Sequence, residues 1–460
     1  MTEQPQAPLV GWYGDDFTGS AATMEVLAFS GIPAVLFLDI PTPEQLAAFP
    51  GTRAIGIAST ARSHGPDWME RHLPQAFDFL RETGAAVVHY KTCSTLDSAP
   101  HVGSIGKAID LGLPLFGGWA PCLLAAPALR RYQAFGHLFA GVPDGVFRLD
   151  RHPVMSRHPV TPMDESDVAR HLSRQTDRRF GLIDIEDLSR DPHSALTRER
   201  DQGAEVICLD AMRDDDMARC GALIWENRQG PRFAVGSQGV EYALVAHWRE
   251  TGALPRQDTN DTAGPVDRML AVSGSVSPVT AAQIDWAERN GFVPIPLDAT
   301  AIIRNDPSAE TRTYSAALDA LRQNRDPIIH TARGPDDPAV AAMRQAVTDT
   351  GLAMDEANAR LGAALGRLLA RLLKETGLRR AVISGGDTSG HAARQLGLFA
   401  FTALAPTIPG AALLQAHSHD PALAGLQLAL KGGQMGSPDY FGWIKRGGGT
   451  APQTLERTNA

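Results

Sequence analysis

The stretch VGWYGDDFTGS, residues 10–20, decides the fold. Val10–Tyr13 is a short apolar run typical of a buried strand, and the periodicity from Thr18 to Ser30 predicts a helix that stops at Gly31. A strand that passes through a tight loop into a helix is the first half of a βαβ unit. In open α/β sheets, ligands bind outside the carboxyl ends of the strands, which is where the loop falls.

The same alternation continues along the chain. Further predicted elements before residue 250 are the strands Ala34–Leu38, Ala54–Ala58, Val87–Tyr90, Val206–Leu209 and Phe233–Val235, and the helix Val240–Trp248. After residue 267 they are the strands Met269–Val272, Pro327–His330 and Ala381–Ile383, and the helices Val279–Arg289 and Asp355–Thr376. The sequence therefore predicts an α/β protein with mainly parallel sheets flanked by helices.

Length and local composition predict two domains. A chain of 460 residues exceeds one hydrophobic core. Residues 251–267 are polar and rich in Gly and Pro, so we expect a linker there. We predict domains at 1–250 and 268–446 and a disordered tail at 447–460.

The overall composition excludes several classes of protein. A net charge of -9 argues against a nucleic-acid partner. The 4 cysteines have no CxxC spacing and the N-terminus has no signal-peptide pattern, which indicates a cytoplasmic protein. Residues 111–129 are uncharged, but their prolines make a spanning helix improbable, so we expect no membrane association. A buried strand followed by a loop and a short helix is expected there instead.

Asp15 and Asp16 are the first candidates for chemistry. Paired carboxylates could hold sugar hydroxyls, and one of them could take a proton from an attacking hydroxyl. The simpler interpretation of this segment alone is a helix N-cap followed by a turn glycine. Two acids are nevertheless more than a cap requires.

A second polar loop, residues 90–98, also follows a predicted strand. It brings Lys91, Ser94 and Asp97 together, which suits a polyhydroxy carboxylate ligand. Cys93 has no identifiable base and is expected to pack as a small side chain. The nearby GSIGKA, residues 103–108, imitates a P-loop but has Ala108 where Ser or Thr would hold magnesium, so a helix start is expected.

The segment from His152 to Met163 contains two His-Pro pairs. Metal ligation by these histidines is the functional alternative. Because of the recurring prolines, an ordered extended loop is expected instead.

Three glycine-bearing junctions mark the second half of the chain: SGSVSPVT at 273–280, SGGDTSG at 384–390 and KGGQMG at 431–436. Glycines let the backbone approach phosphate, and helix N-termini favour anions. Each junction alone is compatible with a tight connection. Together they predict a nucleotide site, and the absence of GxGxxG argues against an NAD enzyme.

In the order and placement of these motifs the chain resembles the four-carbon acid sugar kinase family over nearly its whole length. The resemblance implies a sugar-acid-binding domain, then a nucleotide-binding domain, and an active site in the cleft between them. It implies that Asp15 and Asp16 line the substrate site, with Asp16 the first choice for orienting or deprotonating the hydroxyl, and that Arg62 and Lys91 face the substrate carboxylate. The implied ATP contacts are Ser273, Gly274, Ser275, Gly385, Gly386, Asp387, Thr388, Gly432 and Gly433. Family members often have KSG where this chain has KGG, so one serine is missing at Gly432.

The resemblance also implies a substrate class, with ATP and Mg²⁺ as cosubstrate and cofactor. The CSTLDS loop is closer to the 3-oxo-tetronate kinase branch than to the threonate and erythronate kinases. The segment after HPVTPM departs from that branch, which leaves a branched 3-oxo acid such as 3-oxo-isoapionate open. A D-threonate or D-erythronate 4-kinase is the alternative within the family. A sugar-acid dehydrogenase and a non-enzymatic sugar-acid sensor are the rivals outside it. A homodimer is also left open.

Overall fold

A computed structural model describes residues 7–142, 144–158, 160–226, 228–256 and 262–449. The chain forms two compact units, Met1–Gln257 and Asp258–Ala460. The linker predicted at 251–267 overlaps this division, and residues 257–261 lie outside the described residues. The exact domain limits stay a prediction.

The first unit is built on a parallel sheet. Its strands are β1 (Val10–Gly14), β2 (Ala34–Phe37), β3 (Ala54–Ala58), β4 (Val87–Lys91), β5 (Ala120–Leu123), β9 (Phe180–Ile183), β10 (Val206–Leu209) and β11 (Arg232–Gly236). Their order across the sheet is β2-β3-β1-β4-β11-β5-β10-β9, and every neighbouring pair is parallel. Strands β1, β3 and β4 are buried along their whole length, because helices cover both faces of such a sheet.

A small antiparallel sheet is added to the first unit. It consists of β6 (Arg131–Ala134), β7 (His137–Val142) and β8 (Gly145–Arg148), in that order. The sequence analysis did not predict these strands. They are only half buried, so the continuous burial that marks the strands of the main sheet is absent.

Nine helices with defined bounds accompany these strands in the described part of the first unit. They are α1 (Phe17–Ala28), α2 (Pro43–Ala47), α3 (Pro66–Glu82), α4 (Ile105–Phe116), α5 (Val168–Leu172), α6 (Ile185–Arg190), α7 (Pro192–Asp201), α8 (Asp214–Trp225) and α9 (Gly239–Glu250). Side-chain caps fix the start of α1, where Asp16 accepts from the N–H of Gly19, and of α4, where Ser104 accepts from the N–H of Lys107. Residues 103–108 thus form a helix start, as predicted.

The second unit has a mixed sheet. Its strands are β12 (Leu270–Ser273), β13 (Phe292–Pro296), β14 (Asp326–His330), β15 (Arg380–Ser384), β16 (Leu398–Ala405), β17 (Leu413–Ser418) and β18 (Gln427–Lys431). The order is β13-β14-β12-β15-β18-β17-β16, and the first five strands are parallel. Strand β17 runs antiparallel to β18, and β16 runs antiparallel to β17. The helices are α10 (Pro278–Arg289), α11 (Ala299–Ile303), α12 (Ser308–Arg322), α13 (Pro338–Thr350), α14 (Met354–Thr376), α15 (Gly386–Gln395) and α16 (Tyr440–Arg446). The predicted fold class, two α/β domains with mainly parallel sheets, is confirmed.

Two local expectations need correction. Residues 111–116 complete helix α4, so the predicted strand begins only at Ala120 and is followed by a 3-10 turn at Pro127–Leu129. Residues 262–266 are not a free linker, since the N–H of Ala263 donates to Gly447 O (2.9 Å) and that of Val266 to Lys445 O (3.0 Å). The buried Arg380 joins these segments by donating to Gly264 O (2.8 Å).

The first residues of the predicted disordered tail are held by backbone hydrogen bonds. Gly447 and Gly449 are hydrogen-bonded to Ile444 O and Pro406 O, so the described start of the predicted tail is ordered. Residues 450–460 lie outside the described residues. No helix in the described ranges is long and apolar enough to cross a membrane.

Candidate functional site

The carboxyl end of β1 carries a cluster of ionised side chains. Asp15 and Asp16 follow the strand, and Arg62, on the short turn after β3, bridges them. Its Nε and Nη2 lie 3.2 and 2.7 Å from the two carboxylate oxygens of Asp15, and its Nη1 lies 3.1 Å from Asp16 Oδ2. All three guanidinium nitrogens therefore contact the aspartate pair.

Lys91 completes the cluster from the neighbouring strand. It is the register partner of Gly14, and its carbonyl accepts from the N–H of Asp15 (3.0 Å). Its buried ammonium donates to Thr92 O (2.7 Å). A β-carbon on Gly19 would lie 2.4 Å from both Lys91 Nζ and Asp16 Oδ1, so glycine is needed for this close approach.

The two aspartates have different environments. Burial raises the pKa of Asp15, whose side chain is 1% exposed, and the charges of Arg62 and Lys91 offset this only in part. Burial also opposes ionisation of Asp16, but Arg62, Lys91 and hydrogen bonds from Thr18 and Gly19 lower its pKa below the ordinary value. Asp16 is 18% exposed. It is thus the more exposed member of the pair and the one whose charged form is favoured.

The loop after β4 lies beside this cluster. A β-carbon on Gly103 would lie 2.6 Å from Arg62 O, and the charge of Asp97 contributes to the raised pKa of Arg62. Thr161 donates its hydroxyl to Asp97 Oδ1. Ser94 lies half-buried in the turn of this loop.

Cys93 in the same loop is partly buried, with its Sγ 3.0 Å from Thr95 Oγ1. Cys93 was expected only to pack as a small side chain, but in the structure it also has a polar neighbour.

In the second unit the three glycine-bearing junctions meet at one edge of the sheet. Ser273, Ser384 and Lys431 end three adjacent parallel strands and are register partners. The N–H of Gly274 donates to Ser384 O (3.0 Å), and that of Gly385 to Lys431 O (2.8 Å). The sequence-predicted junctions are therefore neighbours in the fold.

The glycines at this edge allow close approach of the three loops. A β-carbon would lie 2.2 Å from Thr388 Oγ1 at Gly274 and 2.5 Å from Ser275 Oγ at Gly433. Gly385 has a φ of 122°, which L side chains rarely adopt.

The next glycines differ in how much room surrounds them. A β-carbon on Gly386 would meet no atom within 4 Å, and one on Gly432 would contact Met435 Sδ at 3.2 Å. Asp387 lies in α15, and its side chain is outside the described part of the structure.

Lys431 begins the KGGQMG motif but was not predicted to be a site residue. Its fully buried ammonium lies 3.2 Å from Thr280 Oγ1, 2.9 Å from Gly432 O and 3.3 Å from Met435 O. It therefore fastens the last glycine loop to helix α10. Burial lowers its pKa to about 7. The only signal in the sequence was a lysine directly before two glycines.

Polar groups without a hydrogen-bond partner also occur at this edge. Among the described residues, Ser384 Oγ and His330 Nδ1 are buried and lack one. Burial lowers the pKa of His330 to about 4, so its ring is neutral. Such groups at a strand end suit a polar ligand.

Two other sequence features have structural explanations. Lys107 of the P-loop imitation pairs with Glu70 (3.2 Å), which removes it from phosphate binding. His152 and His158 use Nδ1 to accept backbone N–H groups of their own loop. Within the described ranges no three His, Cys, Asp or Glu side chains gather as metal ligands.

Two family models match the chain. Residues 10–244 match a sugar-binding N-terminal domain, and residues 270–441 match a nucleotide-binding C-terminal domain. The chain belongs to the four-carbon acid sugar kinase family. It is a kinase, a phosphotransferase with an alcohol group as acceptor, and the comparisons favour this prediction over a dehydrogenase or a sensor.

Curated relatives within this kinase family cover nearly the whole chain. A 3-oxo-isoapionate kinase from Paraburkholderia graminis is 46% identical, covering 97% of this chain and 96% of the relative. A 3-oxo-tetronate kinase from Burkholderia multivorans is 30% identical, covering 96% and 97%. One from Pseudomonas fluorescens is 29% identical, covering 96% and 97%.

Solved structures agree with the fold of this kinase. A crystal structure of a Salmonella typhimurium LT2 protein matches with a TM-score of 0.73 and 25% identity, covering 95% of this chain and 98% of that chain. A Haemophilus influenzae protein of family DUF1537 matches with a TM-score of 0.69 and 24% identity, covering 95% and 99%.

Proposed function

We propose that this kinase transfers the γ-phosphoryl group of ATP to the terminal hydroxyl of a 3-oxo sugar acid, and that its preferred substrate is the branched 3-oxo-isoapionate. The observation that carries the proposal is the 46% identity to a 3-oxo-isoapionate kinase over 97% of the chain. Two 3-oxo-tetronate kinases share 29% and 30% over similar lengths. The linear 3-oxo-tetronate is the second candidate.

In this proposal the ionised cluster of the first unit binds the acid. Asp16 orients the acceptor hydroxyl or takes its proton, because it is the more exposed carboxylate of the pair and its pKa is lowered. Asp15, with its raised pKa, is the second choice.

Arg62 and Lys91 provide the positive charge of the cluster. A substrate carboxylate nearby favours the protonated form of Asp15 and makes the charge of Arg62 available to the substrate. Ser94 and Asp97 contribute hydrogen bonds to hydroxyls.

In the second unit the aligned glycine junctions bind ATP. The supporting observations are the close approaches at Gly274, Gly385 and Gly433, the open space at Gly386, and the helix N-terminus of α15. The remaining contacts are assigned to Ser273, Ser275, Asp387, Thr388 and Gly432.

Mg²⁺ suits this arrangement as an ion that arrives with the nucleotide. It keeps several waters, and nucleotide phosphates supply many of its ligands. When bound, it neutralises charge on the phosphates. The chain itself contributes positioning, since phosphoryl transfer needs little covalent participation by the protein.

A substrate panel tests the proposal. ADP release is measured with 3-oxo-isoapionate, 3-oxo-tetronate, D-threonate and D-erythronate at saturating ATP. We expect the highest kcat/KM with 3-oxo-isoapionate and no nicotinamide-dependent change in absorbance. A higher kcat/KM for D-threonate or D-erythronate would overturn the proposed substrate class.

Cytoplasmic location and a homodimer stay predictions. Sedimentation of the purified kinase at two concentrations checks the dimer, and fractionation of the host cell checks the location.

A further inference from the structure

Two side chains outside the proposed machinery, Thr161 and His158, form a cluster with Asp97. They lie on the segment between β8 and α5. Thr161 donates its hydroxyl to Asp97 Oδ1, and His158 Nδ1 lies 3.7 Å from the same oxygen. The N–H of Thr161 donates to His158 Nδ1 (3.1 Å), and Thr161 Oγ1 lies 2.9 Å from that nitrogen. His152, on the same segment, makes a similar contact without Asp97.

The hydrogen bonds fix how protons are arranged in the cluster. Because His158 Nδ1 accepts a backbone N–H, the neutral ring carries its hydrogen on Nε2. The Thr161 hydroxyl has one hydrogen, and this hydrogen goes to Asp97. Asp97 Oδ1 is thereby occupied, while no donor among the described side chains contacts its Oδ2. The carboxylate is held in one orientation with one acceptor oxygen left over.

The shape of the segment does not depend on Asp97. His152 Nδ1 accepts from the N–H groups of Val154 (3.2 Å) and Met155 (3.1 Å), and the N–H of Met163 donates to Met155 O (2.9 Å). Backbone bonds of this kind hold the segment by themselves. The hydrogen bond from Thr161 to Asp97 is made in addition to these bonds, and it fixes the orientation of the Asp97 carboxylate.

Asp97 lies on the loop that follows β4, the parallel neighbour of β1. Its charge is among those that raise the pKa of Arg62, and Gly103, a few residues further on, packs against the backbone of Arg62. Asp97 is 16% exposed and His158 is 26% exposed, so a ligand can reach both. The cluster therefore faces the same end of the sheet as Asp16.

We propose that Thr161 and His158 are positioning residues that set substrate specificity by holding Asp97 for one hydroxyl of the 3-oxo acid. The inference rests on the proposed function and adds to it. Asp97 Oδ2 accepts the hydroxyl, and Thr161 prevents the carboxylate from rotating to meet a hydroxyl elsewhere. An acid whose hydroxyl lies at another carbon leaves Oδ2 unpaired, which lowers its transition-state binding.

The test compares Thr161→Val, which keeps the shape and removes the hydroxyl, with Thr161→Ser, which keeps the hydroxyl. The exposed Val160→Ala on the same segment is the control. Initial rates are measured with the 3-oxo acid varied at saturating ATP, and then with ATP varied. Thr161→Val is expected to raise KM for the acid about tenfold, while Thr161→Ser recovers most of the loss. KM for ATP in Thr161→Val and both KM values in Val160→Ala are expected to stay unchanged. An unchanged KM for the acid, or an equal rise in both KM values, overturns the inference.

A double-mutant cycle separates positioning from simple structural support. If Thr161 acts through Asp97, Thr161→Val has no further effect on KM in the Asp97→Asn background. If Thr161→Val raises KM by the same factor in the wild type and in the Asp97→Asn background, the inference is overturned. This holds even if the Thr161→Val variant is less stable. Failure of the wild-type kinase to phosphorylate either 3-oxo acid would instead reject the proposed function. A wild type that phosphorylates them and a Thr161→Val variant that matches it reject only the inference.

Discussion

Gly386 offers a direct test of where the phosphates of ATP bind. It is the first residue of α15, and among the described residues beyond its chain neighbours and its own helix backbone, a β-carbon there would meet no atom within 4 Å. Gly386→Ala is therefore expected to fold without strain. Alanine also lowers the conformational entropy of the unfolded chain, which adds about 0.5 kcal/mol to the free energy of unfolding. In a unit of this size the melting temperature should rise by about 1–2 °C.

The same substitution is expected to weaken ATP binding. A phosphate bound by the first N–H groups of α15 would use the open space beside Gly386, and the new methyl group would enter the same space. Because carbon and oxygen need roughly 3.5 Å, the phosphate must move and lose part of one charge-assisted hydrogen bond. The expected cost is about 1.4 kcal/mol, or tenfold in Kd.

The assay pairs urea unfolding with calorimetric titration of ATP. Gly274→Ala is the matched comparison, because its β-carbon would lie 2.2 Å from Thr388 Oγ1 and should destabilise the second unit by about 1–3 kcal/mol. An unchanged Kd for ATP in Gly386→Ala would show that no phosphate occupies this space. A lower stability of Gly386→Ala would refute the description of that space as open.

The remaining predictions concern three buried or partly buried groups. Asp16→Asn should lower kcat at least about 100-fold with ATP affinity retained, and unaltered turnover would remove Asp16 from its role. Since burial lowers the pKa of Lys431 to about 7, the unfolded chain binds more protons at this lysine than the folded one between about pH 7 and about pH 10. The free energy of unfolding should therefore rise with pH across this window by more in the wild type than in Lys431→Met, and parallel curves would contradict this. The Tyr90 hydroxyl is buried with no hydrogen-bond partner among the described residues, so Tyr90→Phe should leave the unfolding free energy unchanged or higher. Tyr440→Phe, which loses a 2.7 Å bond to Ala411 O, should cost about 1 kcal/mol, and a loss of that size in Tyr90→Phe would contradict the prediction.

Most of the parallel strands could be predicted because they are buried on both faces, whereas the parallel strands β9 and β13, which are only partly buried, were not predicted. The apolar runs of the predicted strands are continuous, as at Ala54–Ala58 and Val206–Leu209, where the predicted and observed bounds coincide. The antiparallel strands β6–β8 and β16–β17 were missed. Their burial is interrupted, as in Leu398–Ala405, so no single face dominates the pattern.

Proximity within the candidate site was predictable where strand ends align. Asp15 and Lys91 lie at the carboxyl ends of neighbouring parallel strands, and so do Ser273 and Ser384. Their proximity is therefore a result of the sheet topology. The contact between Thr161 and Asp97 was not predictable. It joins positions 64 residues apart through an irregular segment whose hydrogen bonds depend on histidine tautomers.

The position of β11 has a consequence for how the first unit is made. It is the last strand of that unit in the sequence, yet it lies between β4 and β5 in the middle of the sheet. A nascent chain that has not reached Arg232 carries two strands whose inner edges are unpaired. Such edges are templates for association with other chains. The first unit therefore cannot close its sheet during synthesis until nearly all of its own sequence has left the ribosome, and fragments that end earlier should need chaperones to remain in solution.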